Sequence, residues 1–263
     1  MGFIQDFVRQ LPLYMLSLPV ILMALSVHES AHGYVAYKLG DPTARNLGRI
    51  TLNPIKHFDL FGLLCMMLVH FGWAKPVPII ARNFKNPRRD MAITGAAGPI
   101  SNLLLAILHL VVLRVVLSLI APSYVEGEVY QFLVAYMSGE SFTGSLEFTI
   151  MSIIVYLLYL GVVMNVVLAI FNLIPIPPFD GSRIFYVFLP PKAYFGIMKY
   201  ERMIMMIFFV LLAFGFLSGP LGYIEDLVIG GLFRLVGISK QNPAELNCLN
   251  GMLAYLSALL RLS

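Results

Sequence analysis

Charge is what this sequence has least of. Asp, Glu, Lys and Arg make up 12% of its 263 residues, against roughly a quarter in an ordinary soluble domain. That scarcity, with 59% hydrophobic residues and a mean hydropathy of +0.83, excludes a water-soluble globular protein. Cysteine is nearly absent as well. Cys65 lies in an apolar run and Cys248 near the C-terminus, so neither a disulfide framework nor a cysteine-based zinc site is implied. A strong basic surplus is missing: the net charge is +4 and the pI about 9.0. No nucleic-acid partner is expected, and in a membrane protein so mild a surplus encodes orientation. The first apolar stretch has neither a basic leader nor a small-residue cleavage site, so it does not read as a signal peptide. There is no internal repeat, no low-complexity linker and no segment resembling a separate soluble domain.

What is present is a series of long apolar runs. A transmembrane helix needs about 20 predominantly apolar residues. Candidates run over about 11–39, 96–120 and 148–172, with a fifth over about 203–217 and a stretch at 227–236 too short to assign. The run at 58–73 is short and flanked by basic residues on both sides, which predicts a re-entrant or interfacial segment. Around it, Asn46–Leu52 and Val77–Arg82 read as extended, predicting a small sheet. The fold class expected is an all-α polytopic membrane protein of about five to six transmembrane helices, with a short re-entrant or β segment at the cytoplasmic face. Residues 1–237 would form one membrane core and 238–263 an amphipathic helical tail.

Loop charges orient the spans. Residues 38–90 carry nine Lys and Arg, whereas 121–147 carry none and four Glu. The positive-inside rule places the first region in the cytoplasm and the second outside. The expected location is the cell membrane, multi-pass, with the N-terminus outside.

The chemistry lies in the first span, in His28-Glu29-Ser30-Ala31-His32. Histidines at i and i+4 share one helix face, near enough to bind one metal ion. A Glu beside the first histidine is placed to take the proton of an attacking water, as in the HExxH arrangement of zinc metalloproteases. The plain alternative is two histidines on a polar helix face. It is weakened because ionisable groups inside a span are costly and need partners.

Zinc requires a third protein ligand. The best candidate is Asp180, in Asn172-Leu173-Ile174-Pro175-Ile176-Pro177-Pro178-Phe179-Asp180-Gly181. The prolines forbid continuous helix there, and irregular backbone at membrane depth is tolerated where it lines a buried cavity. An interfacial helix stop with an Asp-Gly turn is the other reading. Depth favours a ligand. His28 lies about 22 Å from the outer start of its span at 1.5 Å per residue, within the cytoplasmic third of a hydrocarbon core about 30 Å thick. The fourth span delivers Asp180 to the same side. Asn102 and Asn172 are candidates to hydrogen-bond substrate backbone or a developing oxyanion, or else they satisfy helix backbone. His57 sits in a loop, and His70 and His109 lie in apolar runs that read as packing.

HESAH in an early span followed by NLIPIPPFDG resembles the site-2 protease family of intramembrane zinc metalloproteases. The stretches Leu39–Pro42, Gly48–Pro54 and Ala97–Asn102 fit the same pattern. The resemblance covers about residues 15–190. It implies one Zn2+ per chain, held by His28, His32 and Asp180, with Glu29 as catalytic base. It further implies a substrate that spans or is tethered to the bilayer, cleaved by zinc-activated water. The chain reads as a minimal form, without the PDZ or CBS domains of some members. Two other functions compete: a divalent-metal transporter, and a membrane homologue that binds helices without cutting. Transporters need no Glu beside the histidine and usually show inverted repeats. The complete His, Glu, His and Asp set argues against an inactive binder.

In the tail, Asn242-Pro243-Ala244-Glu245 reads as a helix start. Leu246, Leu249, Leu253, Leu256 and Leu260 form a heptad-like stripe, suited to the membrane surface or to a homo-oligomer contact.

Overall fold

The computed structural model describes residues 3–60, 62, 74–119, 146–190, 193, 196–197 and 199–236. Among them are seven α-helices: α1 (Phe3–Leu39), α2 (Thr43–Asn46), α3 (Pro87–Leu119), α4 (Leu146–Leu173), α5 (Asp180–Tyr186), α6 (Glu201–Ala213) and α7 (Ser218–Leu235). Two 3₁₀ turns, Pro54–Lys56 and Ala81–Asn83, lie between α2 and α3. The all-helical class holds among the described residues. The tail at 238–263 lies outside them, as do residues 61 and 63–73 of the expected re-entrant run at 58–73.

Among the described residues, three helices are long and apolar enough to cross a bilayer: Met15–Leu39, Pro87–Leu119 and Ile150–Leu173. They correspond to the first, third and fourth expected spans. Helix α3 begins nine residues before the expected 96, because Pro87 suits a first helical position and Asp90 accepts the Asn86 amide at 3.0 Å, capping a charged first turn. The expected fifth span, 203–217, is helical only as far as Ala213. Helix α6 has 13 residues, about 20 Å. The bonds Gly215 N to Leu212 O and Phe216 N to Leu211 O then close a turn before α7, which carries Glu225, Asp226 and Arg234.

Helix α4 is the centre of the bundle. Its Val155, Tyr159, Val162, Val163 and Val166 are buried against Ala106, Leu110, Leu113 and Leu117 of α3, and against Ile229 and Phe233 of α7. Helix α3 divides by its 3.6-residue period. Asn102, Ala106, Leu110, Leu113 and Leu117 face inward, while Leu104, Leu108, Val111, Val112 and Val115 form an exposed apolar stripe. A continuous stripe of that kind is stable against lipid and costly against water.

The expected sheet is not formed: the described residues contain no strand. In Asn46–Leu52, α2 occupies the first residue, and Gly48 N to Arg45 O with Arg49 N to Ala44 O winds the next ones into a turn. In Val77–Arg82, Pro76 and Pro78 remove amide donors on either side of Val77. The remaining amides of Val77 and Ile80 go to the carboxylates of Glu29 and Asp41 at 2.8 and 2.7 Å. Ile80 is extended and Ala81 and Arg82 enter the 3₁₀ turn, and side chains hold the segment in place of a neighbouring strand.

Asp41 organises this region. Helix α1 ends in a Schellman motif, with Gly40 in the left-handed region and Asp41 N bonded to Ala36 O at 2.9 Å. The buried Asp41 carboxylate then accepts from the Ile80 amide, the Thr43 amide and hydroxyl, and the Asn83 side chain. Burial alone would raise its pKa. The Ile80 N–H, with the Thr43 and Asn83 donors, outweighs that and holds it below the usual carboxylate range. A depressed folded-state pKa contributes stability that is fully present above the unfolded value of about 3.9 and lost as pH falls through the folded one. Asp41→Ala should therefore lower Tm in detergent at pH 7 by about 5 °C, since stranded donors cost about 2 kcal/mol. The gap between variant and wild type should close as pH falls below 4. A gap that does not change with pH would refute the carboxylate's role.

Candidate metal centre

Helix α1 carries His28 and His32 on the face it turns toward α3, and each ring is oriented by its Nδ1. His28 Nδ1 meets Asn102 Oδ1 at 2.5 Å, and His32 Nδ1 meets the Thr94 carbonyl at 2.7 Å, both partners on α3. A carbonyl oxygen only accepts, so both Nδ1 atoms carry protons, and in the neutral imidazoles both Nε2 atoms carry lone pairs.

Those Nε2 atoms face each other at 3.0 Å. Asp180 Oδ2 lies 3.1 Å from His28 Nε2 and 3.0 Å from His32 Nε2. With both imidazoles neutral, three buried acceptors converge, and a shared cation would reconcile them. Two imidazoles and a carboxylate are a zinc donor set, and ligand atoms of a tetrahedral zinc with bonds of about 2.0–2.1 Å lie about 3.3 Å apart. The cluster fits a zinc site.

Asp180 arrives at the start of α5, after the proline-rich turn has ended α4. A Cβ at Gly181 would stand 2.3 Å from the Leu173 carbonyl oxygen, so only glycine lets α5 fold back this tightly against the end of α4. The other Asp180 oxygen, Oδ1, faces Arg183 Nη1 at 3.6 Å. Gly98 of α3 makes the opposing wall. A Cβ there would lie 2.5 Å from His28 Cε1 and from His32 Nε2.

Glu29 is half-buried on α1, and its Oε2 accepts the Val77 amide at 2.8 Å. The residues around Val77 are braced from α1 and the following turns. Arg49 Nη2 donates to the Lys75 carbonyl at 2.7 Å, and the Ser30 hydroxyl donates to the Thr51 carbonyl at 2.6 Å. Val77 itself packs on Gly33. The stretches following the HESAH motif thus form the mount for the Val77 amide that orients Glu29.

The two asparagines weighed in the sequence separate. Asn102 is wholly buried, and its Nδ2 donates to Asn165 Oδ1 at 2.7 Å and to the Ala24 carbonyl at 3.3 Å. Asn172 is half-buried and donates to the Leu168 carbonyl one turn back along α4, at 2.9 Å. His57 is buried, with Nε2 2.9 Å from the Thr51 carbonyl. His109 bonds through Nδ1 to the Leu105 carbonyl of its own helix at 2.8 Å. Sequence reasoning missed Asn165, Thr94, Gly98 and the Val77 amide. Asn165 carried a signal as an amide side chain in the middle of an apolar span, and Gly98 as part of the Ala97–Asn102 stretch; Thr94 and Val77 act through backbone atoms, which nearly any residue type would supply.

The profile of a family described as "Peptidase family M50" matches residues 17–217. A Bacillus subtilis (strain 168) protein named "Putative zinc metalloprotease YwhC" is 38% identical over 171 residues, 65% of this chain and 68% of the relative. One of Mycolicibacterium smegmatis (strain ATCC 700084 / mc(2)155), "Putative zinc metalloprotease Rip2", is 27% identical over 164 residues, 61% of this chain and 52% of the relative. No solved structure matches the chain.

Proposed function

Because this chain belongs to peptidase family M50, a family of zinc metalloendopeptidases, we propose that it cleaves membrane-spanning or membrane-tethered proteins within the bilayer. The observation that carries the reading is the triangle of His28 Nε2, His32 Nε2 and Asp180 Oδ2, buried beside three membrane-capable helices. His28 is 13 residues into the span that begins at Met15, about 20 Å along it, so the centre belongs to the body of the helix. With Lys and Arg concentrated in 38–90, the site faces the cytoplasmic side of the cell membrane and the N-terminus lies outside.

His28, His32 and Asp180 are the ligands in this reading. Zinc bound there supplies Lewis acidity, acidifying water and polarising a carbonyl. Glu29, anchored through one oxygen on the Val77 amide, is the general base. It accepts the proton of the attacking water and returns it to the leaving amine. Asn102 has both amide hydrogens committed and is assigned to hold His28 in place of the substrate contact expected from sequence. Asn172 keeps its oxygen, which makes no protein hydrogen bond among the described residues, for a substrate that has unwound near the end of α4.

The test uses the full chain in detergent. About one zinc per chain is expected, with cleavage of a transmembrane peptide that stops when a chelator strips the metal and returns when zinc is restored. Zinc passage into liposomes without peptide cleavage would move the assignment to a transporter. Bound zinc with no cleavage of any membrane-protein substrate tested would leave a helix binder.

A further inference from the structure

Helix α4 contributes no ligand from its membrane-spanning part, yet it reaches the centre through one side chain. Asn165 is 1% exposed. Its Nδ2 lies 2.8 Å from the Gly161 carbonyl. A carbonyl cannot donate, so the amide must be turned with its nitrogen toward Gly161 and its oxygen away. That oxygen meets Asn102 at 2.7 Å, which forces the Asn102 nitrogen toward Asn165 and the Asn102 oxygen toward His28. The oxygen in turn demands a proton on His28 Nδ1 at 2.5 Å, which in the neutral ring leaves the lone pair on Nε2. A backbone carbonyl of α4 thus sets, through two buried amides, which nitrogen of His28 is free. Asn102 has a second anchor in the Ala24 carbonyl, but at 3.3 Å it is the longer contact.

We infer that Asn165 is a positioning residue of the metal centre, acting through Asn102 to hold His28 in the tautomer and ring orientation that bind zinc. This rests on the zinc reading above. It follows the general behaviour of metal sites, in which the partner of a ligand's second nitrogen fixes tautomer and basicity, and its loss weakens binding about 10–100-fold. In apolar surroundings no water replaces the missing acceptor, so an Asn102 amide released from Asn165 can turn over and offer its nitrogen to His28 Nδ1. His28 would then carry its proton on Nε2.

The experiment measures zinc affinity by chelator competition on the full chain in detergent, for wild type, Asn165→Ala, Asn165→Leu and Asn165→Asp. Nitrogen-15 spectra of labelled histidine in the zinc-free proteins are recorded alongside. Ala and Leu should each weaken zinc about 10–100-fold and shift His28 from the Nδ1–H form to a mixture. Leu fills the volume should Ala fail to fold. Asn165→Asp should stay within about threefold of wild type, since a neutral carboxyl, favoured by burial, donates to Gly161 and accepts from Asn102 as the amide does. A merely structural Asn165 would lower Tm without moving the His28 tautomer. Wild-type affinity and an unchanged tautomer in both Ala and Leu would overturn the inference alone. A wild type that holds no zinc, or His28→Ala and His32→Ala that hold it as well as wild type, would overturn the zinc reading itself.

Discussion

Glu29→Gln is expected to abolish peptide cleavage while leaving zinc at about one per chain. Gln has the shape of Glu and keeps an oxygen for the Val77 amide, which Glu29 accepts at 2.8 Å, so the local structure has no reason to move. What Gln lacks is the capacity to take a proton. General-base contributions run from about 10² to 10⁴ in rate, and an unactivated water gives the rest of the barrier no help, so a fall of about a thousandfold or more is expected. Single-turnover cleavage of a transmembrane peptide, with metal content measured on the same preparation, checks both halves. Activity within about tenfold of wild type would remove Glu29 from the role of base. Loss of zinc would instead make it a ligand.

Gly98→Ala should disable the centre as completely by a different route. The added methyl would stand 2.5 Å from His28 Cε1 and from His32 Nε2, and 2.6 Å from His28 Nε2, well inside van der Waals contact. Neither ring can yield freely. His28 is held by Asn102 and His32 by the Thr94 carbonyl, and both are buried. The rings must therefore part, opening the 3.0 Å approach of the two Nε2 atoms. Elsewhere in a helix interior, alanine in place of glycine stabilises by about 0.5–1 kcal/mol, so helix propensity works against any general loss of fold. A fall of more than about 100-fold in zinc affinity is expected, exceeding the upper end of outer-shell effects because both ligands are displaced at once. Isothermal or chelator-competition titration reads it. Wild-type affinity in Gly98→Ala would show that the α1–α3 contact tolerates expansion and that the ligand triangle is not held rigidly.

Much of this was readable from residue order. The pair of histidines at i and i+4 needs only a helix to share a face, and the apolar length of 11–39 guarantees one. The three spans that form the bundle were visible because about 20 apolar residues in sequence have one low-energy state in a bilayer. Asp180 was legible for a related reason: prolines at 175, 177 and 178 end a helix wherever they fall, so a chain break beside an acid could be placed at the end of the fourth span. The 203–217 run misled in length, since apolar length alone does not reveal the turn at 214–217 that ends its helix. The pair of extended segments misled as well. In Val77–Arg82 the Val77 and Ile80 amides are taken by Glu29 and Asp41, carboxylates 48 and 39 residues distant in sequence.

Residue order by itself determined the three long apolar helices and the shared face of His28 and His32, because each follows from local composition or from spacing within one turn or two. Tertiary structure alone decided how those atoms meet. It brought Asp180 across 152 residues to His28, gave the histidine rings the Asn102 and Thr94 acceptors that turn their Nε2 atoms together, and left the space beside Gly98 for both rings to occupy. The reason is that a ligand set is a property of distances between helices, and those are set by packing: by which helix buries which stripe, and by how closely small residues such as Gly98 and Gly181 let the backbones approach.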